Sequence, residues 1–136
     1  LEEEVFNGKP FLGICIGMQI LIEKSYEHGE YDGLGWVPGK VELLDVKDQP
    51  LPHIGWNNVN FKKKSELFDN FEEINDFYFV HSYAVITEEK YILTETTYEN
   101  TFISSIQKDN MYGVQFHPEK SQKAGILLLQ NFFQLK

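Results

Sequence analysis

The single cysteine of the chain, Cys15, lies in Gly13-Ile14-Cys15-Ile16-Gly17, with a glycine two residues away on either side and a short apolar run, Pro10 to Leu12, leading into it. That spacing reads as a strand, a sharp turn and the start of a helix, with the thiol at the apex. A residue at such an apex sits in strained backbone with its side chain projecting outward, and close glycines let a substrate approach. A thiol near a helix N-terminus is also biased toward the thiolate, the form that attacks electrophiles. Cys15 is therefore a candidate nucleophile, against the alternative of a buried cysteine acting as a small apolar residue. A second stretch, Gly113-Val114-Gln115-Phe116-His117-Pro118-Glu119, sets a histidine and a carboxylate two residues apart around a proline. On a strand such residues share a face, and proline stiffens the link between them. Alone, His-Pro-Glu is equally a surface turn. With Cys15 it completes a nucleophile, a base (His117) and an acid that orients the base (Glu119). Cys15, His53, His81 and His117 match no zinc spacing, so no metal or other cofactor is implied.

The elements that must position these groups follow from pattern. Leu1 to Phe6 reads as the end of a helix closed by Asn7-Gly8. Pro10 to Ile14 suits a strand covered on both faces. From Gly17 onward, Met18, Ile20, Leu21 and Ile22 with Gln19 and Glu23 predict a helix that continues to about Glu27 and stops at Gly29. The glycine-rich stretch from Tyr31 to Gly39 reads as an ordered loop. Strands are expected at Val41 to Val46, Ile54 to Phe61, Phe77 to Val85, Tyr91 to Thr97, Thr101 to Ile106 and Met111 to Phe116. Ser65 to Phe68 reads as a serine-capped helical turn, and Ala124 to Leu135 as a C-terminal helix. The order of elements predicts one α/β domain over residues 1–136, with antiparallel hairpins in its middle.

At 136 residues and 42% apolar, the chain has material for a real core. One cysteine makes no internal disulfide, which points to a reducing compartment. No apolar run approaches the roughly 20 residues of a membrane span, and Leu1-Glu2-Glu3-Glu4 does not resemble a signal peptide, so the expectation is a soluble, cytoplasmic protein that engages no membrane. A formal charge of −9 opposes nucleic-acid binding. Lys62-Lys63-Lys64 reads as a solvated run.

Gly13 to Gln19 and Gly113 to Glu119 resemble the two signature motifs of the class I (triad) glutamine amidotransferases. Leu51-Pro52-His53-Ile54-Gly55-Trp56-Asn57 and Tyr78-Phe79-Val80-His81-Ser82-Tyr83 narrow the likeness to the glutaminase subunit of imidazole glycerol phosphate synthase. The resemblance implies a flavodoxin-like three-layer α/β sandwich, with a parallel central sheet plus antiparallel hairpins. It implies that Cys15 attacks the side-chain amide of glutamine, that His117 shuttles the proton and that Glu119 orients His117. Gln19 and backbone groups around His81, Ser82 and Tyr83 would contact glutamine, and the Ile16 N–H would serve the oxyanion. Trp56, Asn57, Tyr78 and Lys120 would lie toward a (β/α)8-barrel synthase subunit that receives the ammonia in histidine biosynthesis. The alternatives are an amidotransferase feeding another pathway, such as sugar or anthranilate amination, a catalytically silent binding module, or a cysteine protease. The family has further strands and a glycine-containing oxyanion loop before the nucleophile, so this chain is expected to be the C-terminal portion of an N-terminally truncated domain.

Overall fold

From the N-terminus, the computed structural model, which describes residues 1–72 and 74–136, runs α1 (Glu2–Phe6), β1 (Phe11–Ile14), α2 (Ile16–Gln19), β2 (Ile22–Ser25), β3 (Tyr31–Asp32), β4 (Val37–Leu43), β5 (His53–Asn58) and β6 (Asn60–Phe61). It continues through β7 (Asp76–His81), β8 (Tyr83–Ile86), β9 (Ile92–Tyr98), β10 (Asn100–Lys108), β11 (Met111–Val114) and α3 (Gln122–Phe133). Short 3-10 turns at Glu66–Phe68, Glu89–Tyr91 and Pro118–Lys120 join these elements. No helix among the described residues is long and apolar enough to cross a membrane.

A five-stranded sheet in the order β1-β11-β10-β9-β6 sits in the middle. β1 and β11 pair in parallel and the others antiparallel, so the expected mixture of parallel strands and hairpins is present. Successive residues of a strand point to opposite faces, and this sheet has a core on each. Leu12, Phe102, Tyr112 and Val114 meet Phe77, Phe79, Phe116 and Leu128 on one side. Phe11, Ile103, Ile106 and Met111 meet Met18, Leu21, Ile22 and Val41 on the other. Ile103 and Ile106 are three residues apart, which in regular alternation would put them on opposite faces. Register shifts around Ser105 insert a bulge that returns Ile106 to the face of Ile103. The bulge turns Ser104 and Ser105 inward, where both hydroxyls bond Thr94 Oγ1, at 2.7 and 2.5 Å. A four-stranded sheet, β3-β2-β4-β8, and the antiparallel pair β5-β7 complete the sheets.

Two expectations are corrected. The helix after Cys15 ends at Gln19, and Ile22–Ser25 is a strand. Met18, Leu21 and Ile22 are fully buried at the i, i+3, i+4 spacing that a helix would also show, but Ile22 pairs in parallel with Val37. Tertiary pairing overrides the helical spacing. The stretch read as a loop from Tyr31 to Gly39 is strand at both ends, with Pro38 and Gly39 inside β4. Gly39 has φ +141°, and a Cβ there would lie 2.3 Å from the Ile86 carbonyl oxygen, so its glycine marks a close strand approach.

The C-terminal helix and the serine-capped turn are where the pattern places them. Ser65 Oγ accepts from Leu67 N at 3.2 Å. Asn131 of α3 ties that turn down by donating to the carbonyls of Leu67 and Asp69.

Candidate active site

Cys15 has φ 55° and ψ −107°, a left-handed-side conformation that costs a non-glycine residue energy and persists because its surroundings hold it. Its N–H donates to Val114 O at 2.7 Å, continuing the β1–β11 pairing, and its carbonyl accepts from Met18 and Gln19 as α2 begins. Gly13 makes this turn possible, because a Cβ there would stand 2.3 Å from Gly17 O. A Cβ at Gly17 would meet nothing within 4 Å, so the space beside the turn is open.

β7 gathers the other parts. One edge of it pairs with β5; on its other edge Val80 O accepts the Cys15 thiol at 3.8 Å and Tyr78 O accepts the His117 N–H at 2.9 Å. Ser121 Oγ accepts from Tyr78 N and donates to His117 O, clamping the His117 turn to the same edge. Cys15 and His117 are thus referred to carbonyls two residues apart on one strand. His117 Nδ1 bonds Glu119 Oε2 at 2.8 Å. The expected link between them was strand alternation; instead His117 caps the 3-10 turn Pro118–Lys120, and the turn folds Glu119 back onto the ring. A carboxylate accepts, so His117 carries a proton on Nδ1, which leaves Nε2 as the ring nitrogen not engaged by Glu119. Among the described residues the thiol and the imidazole make no hydrogen bond to each other.

The thiol is held neutral. Burial pushes its pKa up, the Ile16 N–H and the Gln115 amide pull it down, and the charges of Glu119 and Glu27 raise it again. Gln115, completely buried, donates Nε2 to Cys15 Sγ at 3.6 Å. Gln19, also buried, spends its amide nitrogen on Tyr83 O and Gln115 Oε1, both at 3.2 Å. His81 Nδ1 lies 3.0 Å from the same Tyr83 carbonyl, and its Nε2 lies 2.9 Å from His53 Nδ1. His53 Nε2 in turn lies 3.3 Å from Asn57 Nδ2, which also donates to Thr97 O. Burial pushes the pKa of each histidine down to about 4, so both rings are neutral near pH 7. The Ser82 carbonyl accepts from Leu44 N.

Trp56 and Tyr78 stand opposite each other across β5 and β7, with ring centroids 6.0 Å apart. Asn57 is the next residue along β5, and Lys120 is exposed on the turn clamped to β7. The structure thus puts Trp56 and Tyr78 side by side on one face, while the Asn57 side chain points to the other face of β5, toward His53 and Thr97. Sequence reasoning gave no role to Gln115, His53 or Val80. All three stand inside the quoted motif stretches, but their partners lie across the fold, where no local spacing points to them.

A sequence profile described as "Glutamine amidotransferase class-I" matches residues 1–135. The imidazole glycerol phosphate synthase subunit HisH of Aquifex aeolicus is 53% identical over 133 residues, which cover 97% of this chain and 64% of that protein. The HisH subunit of Pyrococcus furiosus is 50% identical over 135 residues, covering 98% of this chain and 69% of that protein. The chain thus spans about two thirds of the length of the curated relatives it matches. In fold it is similar to the crystal structure of a glutamine amidotransferase from Thermotoga maritima, with a TM-score of 0.62 at 21% identity over 97% of this chain and 50% of that one.

Proposed function

Because the chain belongs to the class-I glutamine amidotransferase family, we propose that it carries the reacting groups of a glutaminase: Cys15 as nucleophile, His117 as general base and acid, and Glu119 as the group that orients His117. One observation supports this most directly. A strained Cys15 and a Glu119-oriented His117 are anchored to neighbouring carbonyls of one strand edge.

The steps follow from the protonation pattern. His117 Nε2 takes the thiol proton, and Sγ bonds to the amide carbon of glutamine. The carbonyl oxygen becomes an oxyanion, met by the Ile16 N–H, which already faces the sulfur. His117 returns the proton to the departing nitrogen, the C–N bond breaks, ammonia leaves and a glutamyl thioester remains. Water, giving a proton to His117, attacks the thioester carbon. The C–S bond breaks, the thiol is reprotonated and glutamate is released. Gln19 and the backbone of His81, Ser82 and Tyr83 form the wall against which glutamine lies.

The HisH names of the relatives support an acceptor reaction in histidine biosynthesis. In this reading Trp56, Asn57, Tyr78 and Lys120 lie toward a (β/α)8-barrel synthase subunit, which receives the ammonia, and the complex works in the cytoplasm. In the full chain with its synthase partner, Cys15→Ser is expected to abolish glutamine-dependent product formation and to spare the ammonia-dependent reaction; equal loss of both would overturn the assignment. Glu119→Gln is expected to slow glutamine hydrolysis on the order of a thousandfold, because the ring loses its orienting carboxylate. Purification with a barrel subunit distinguishes this acceptor from sugar or anthranilate amination.

A further inference from the structure

Behind Cys15 the polar side chains form one continuous chain of hydrogen bonds with a forced direction. The Tyr83 carbonyl only accepts, and it takes both His81 Nδ1–H and Gln19 Nε2–H. A neutral His81 with its proton on Nδ1 must accept at Nε2, so His53 donates from Nδ1. His53 then accepts at Nε2 from the Asn57 amide. On the other arm, the second hydrogen of Gln19 Nε2 goes to Gln115 Oε1. That leaves the Gln115 amide nitrogen facing Cys15 Sγ. A flipped Gln115 would set its N–H against the Gln19 N–H and a carbonyl oxygen against the sulfur. The backbone gives it no freedom either, since Gln115 N donates to Ser104 O at the bulge of β10.

We propose that Gln115 is a positioning residue for Cys15, presenting an N–H to the sulfur, that Gln19 fixes its orientation, and that the buried pair His53 and His81 holds in place the Tyr83 carbonyl to which Gln19 donates. The inference rests on Cys15 being the nucleophile. An N–H aimed at sulfur favours thiolate over thiol, and hydrogen bonds to a charged acceptor are the stronger ones. It works with the Ile16 N–H and against the carboxylates of Glu119 and Glu27, the charged groups the sulfur feels.

Cys15 is the single cysteine of these 136 residues, and its alkylation by iodoacetamide is followed by the mass of the peptide that carries it. The rate is measured from pH 5.5 to 10 in the full chain, with melting curves as a check of folding. Gln115→Leu is expected to raise the pH midpoint of alkylation by about one unit, which is about a tenfold lower rate below the midpoint. His53→Leu, remote from the sulfur, is expected to raise it by a smaller amount. His53→Asn keeps a donor where Nδ1 stood and is expected to restore the wild-type midpoint. An unchanged midpoint in folded Gln115→Leu overturns the proposal. If that variant does not fold, equal midpoints in His53→Leu and His53→Asn overturn it. Glutamine hydrolysis that survives Cys15→Ser would instead overturn the nucleophile assignment and leave the alkylation result standing.

Discussion

At the scale of single residues, the site rests on side chains whose protonation is dictated by their neighbours. His53 and His81 have no water-facing alternative, so each keeps its proton on Nδ1 and none on Nε2. Long-range ¹H–¹⁵N correlation spectra at pH 7 are expected to show both rings as Nδ1–H tautomers; an Nε2–H signal from either would contradict the chain of bonds. Their depressed pKa also couples to stability. Between the ordinary value of 6.5 and about 4 the unfolded chain binds protons that the folded one excludes. Stability conferred by neutral histidines is therefore fully present above about pH 6.5 and is lost as pH falls toward 4. The slope is at most about 1.4 kcal/mol per pH unit for each ring. Urea denaturation at pH 7, 5.5 and 4.5 measures it. The sharp turn at Cys15 and the pairing of His117 with Glu119 were legible in the sequence because both are written in short local spacing. Gln115 and His53 were not, because what gives them a role is a partner across the fold: Gln115 meets a sulfur 100 positions away, and His53 meets a ring 28 positions away.

At the scale of elements, the reading succeeded where one face of an element decides its form and failed where pairing with a distant strand does. The C-terminal helix buries Ala124, Leu128 and Asn131 and leaves Ile126 and Phe133 exposed, a one-sided pattern that its spacing announces. The segment after Gln19 continues the i, i+3, i+4 spacing of Met18, Leu21 and Ile22, which imitates a helix, whereas its strand form is decided by β4, beyond a stretch rich in glycine. The His117 turn shows a subtler version: the residues that pair were foreseen, while the 3-10 geometry that pairs them was not. That turn depends on α3, because Gly125 packs against it so closely that a Cβ would stand 1.7 Å from Pro118 O. Gly125→Ala is expected to lower stability by about 1–3 kcal/mol or more, since neither backbone can yield cheaply. It should also lower glutamine turnover, because the displaced turn carries His117 and Glu119. Chemical denaturation and a glutaminase assay on one preparation check both.

At the scale of the whole molecule, two cores share one sheet, and the bulge at Ser104 and Ser105 keeps the two sets of side chains on their proper sides. Neither core closes without the strands it shares with the other, so the chain is expected to unfold in one transition. Ile106→Val on one face and Leu128→Ala on the other should lower the same midpoint, by about 1 and about 3 kcal/mol respectively. Two separable transitions would show that the cores are independent. The strand edge that holds both reacting groups has a further consequence. Phe79, between Tyr78 and Val80, is completely buried and packed among His53, Phe102 and Phe116, so the stretch of backbone from which sulfur and imidazole are both measured is as rigid as the core. Releasing the thiol from the Val80 carbonyl is then a rotation about the Cys15 side-chain bonds. Such rotations are completed in picoseconds to nanoseconds at accessible positions, whereas backbone rearrangements take microseconds or longer. In the proposed reaction, freeing the thiol from its backbone acceptor is therefore a fast local event that asks nothing of the strand.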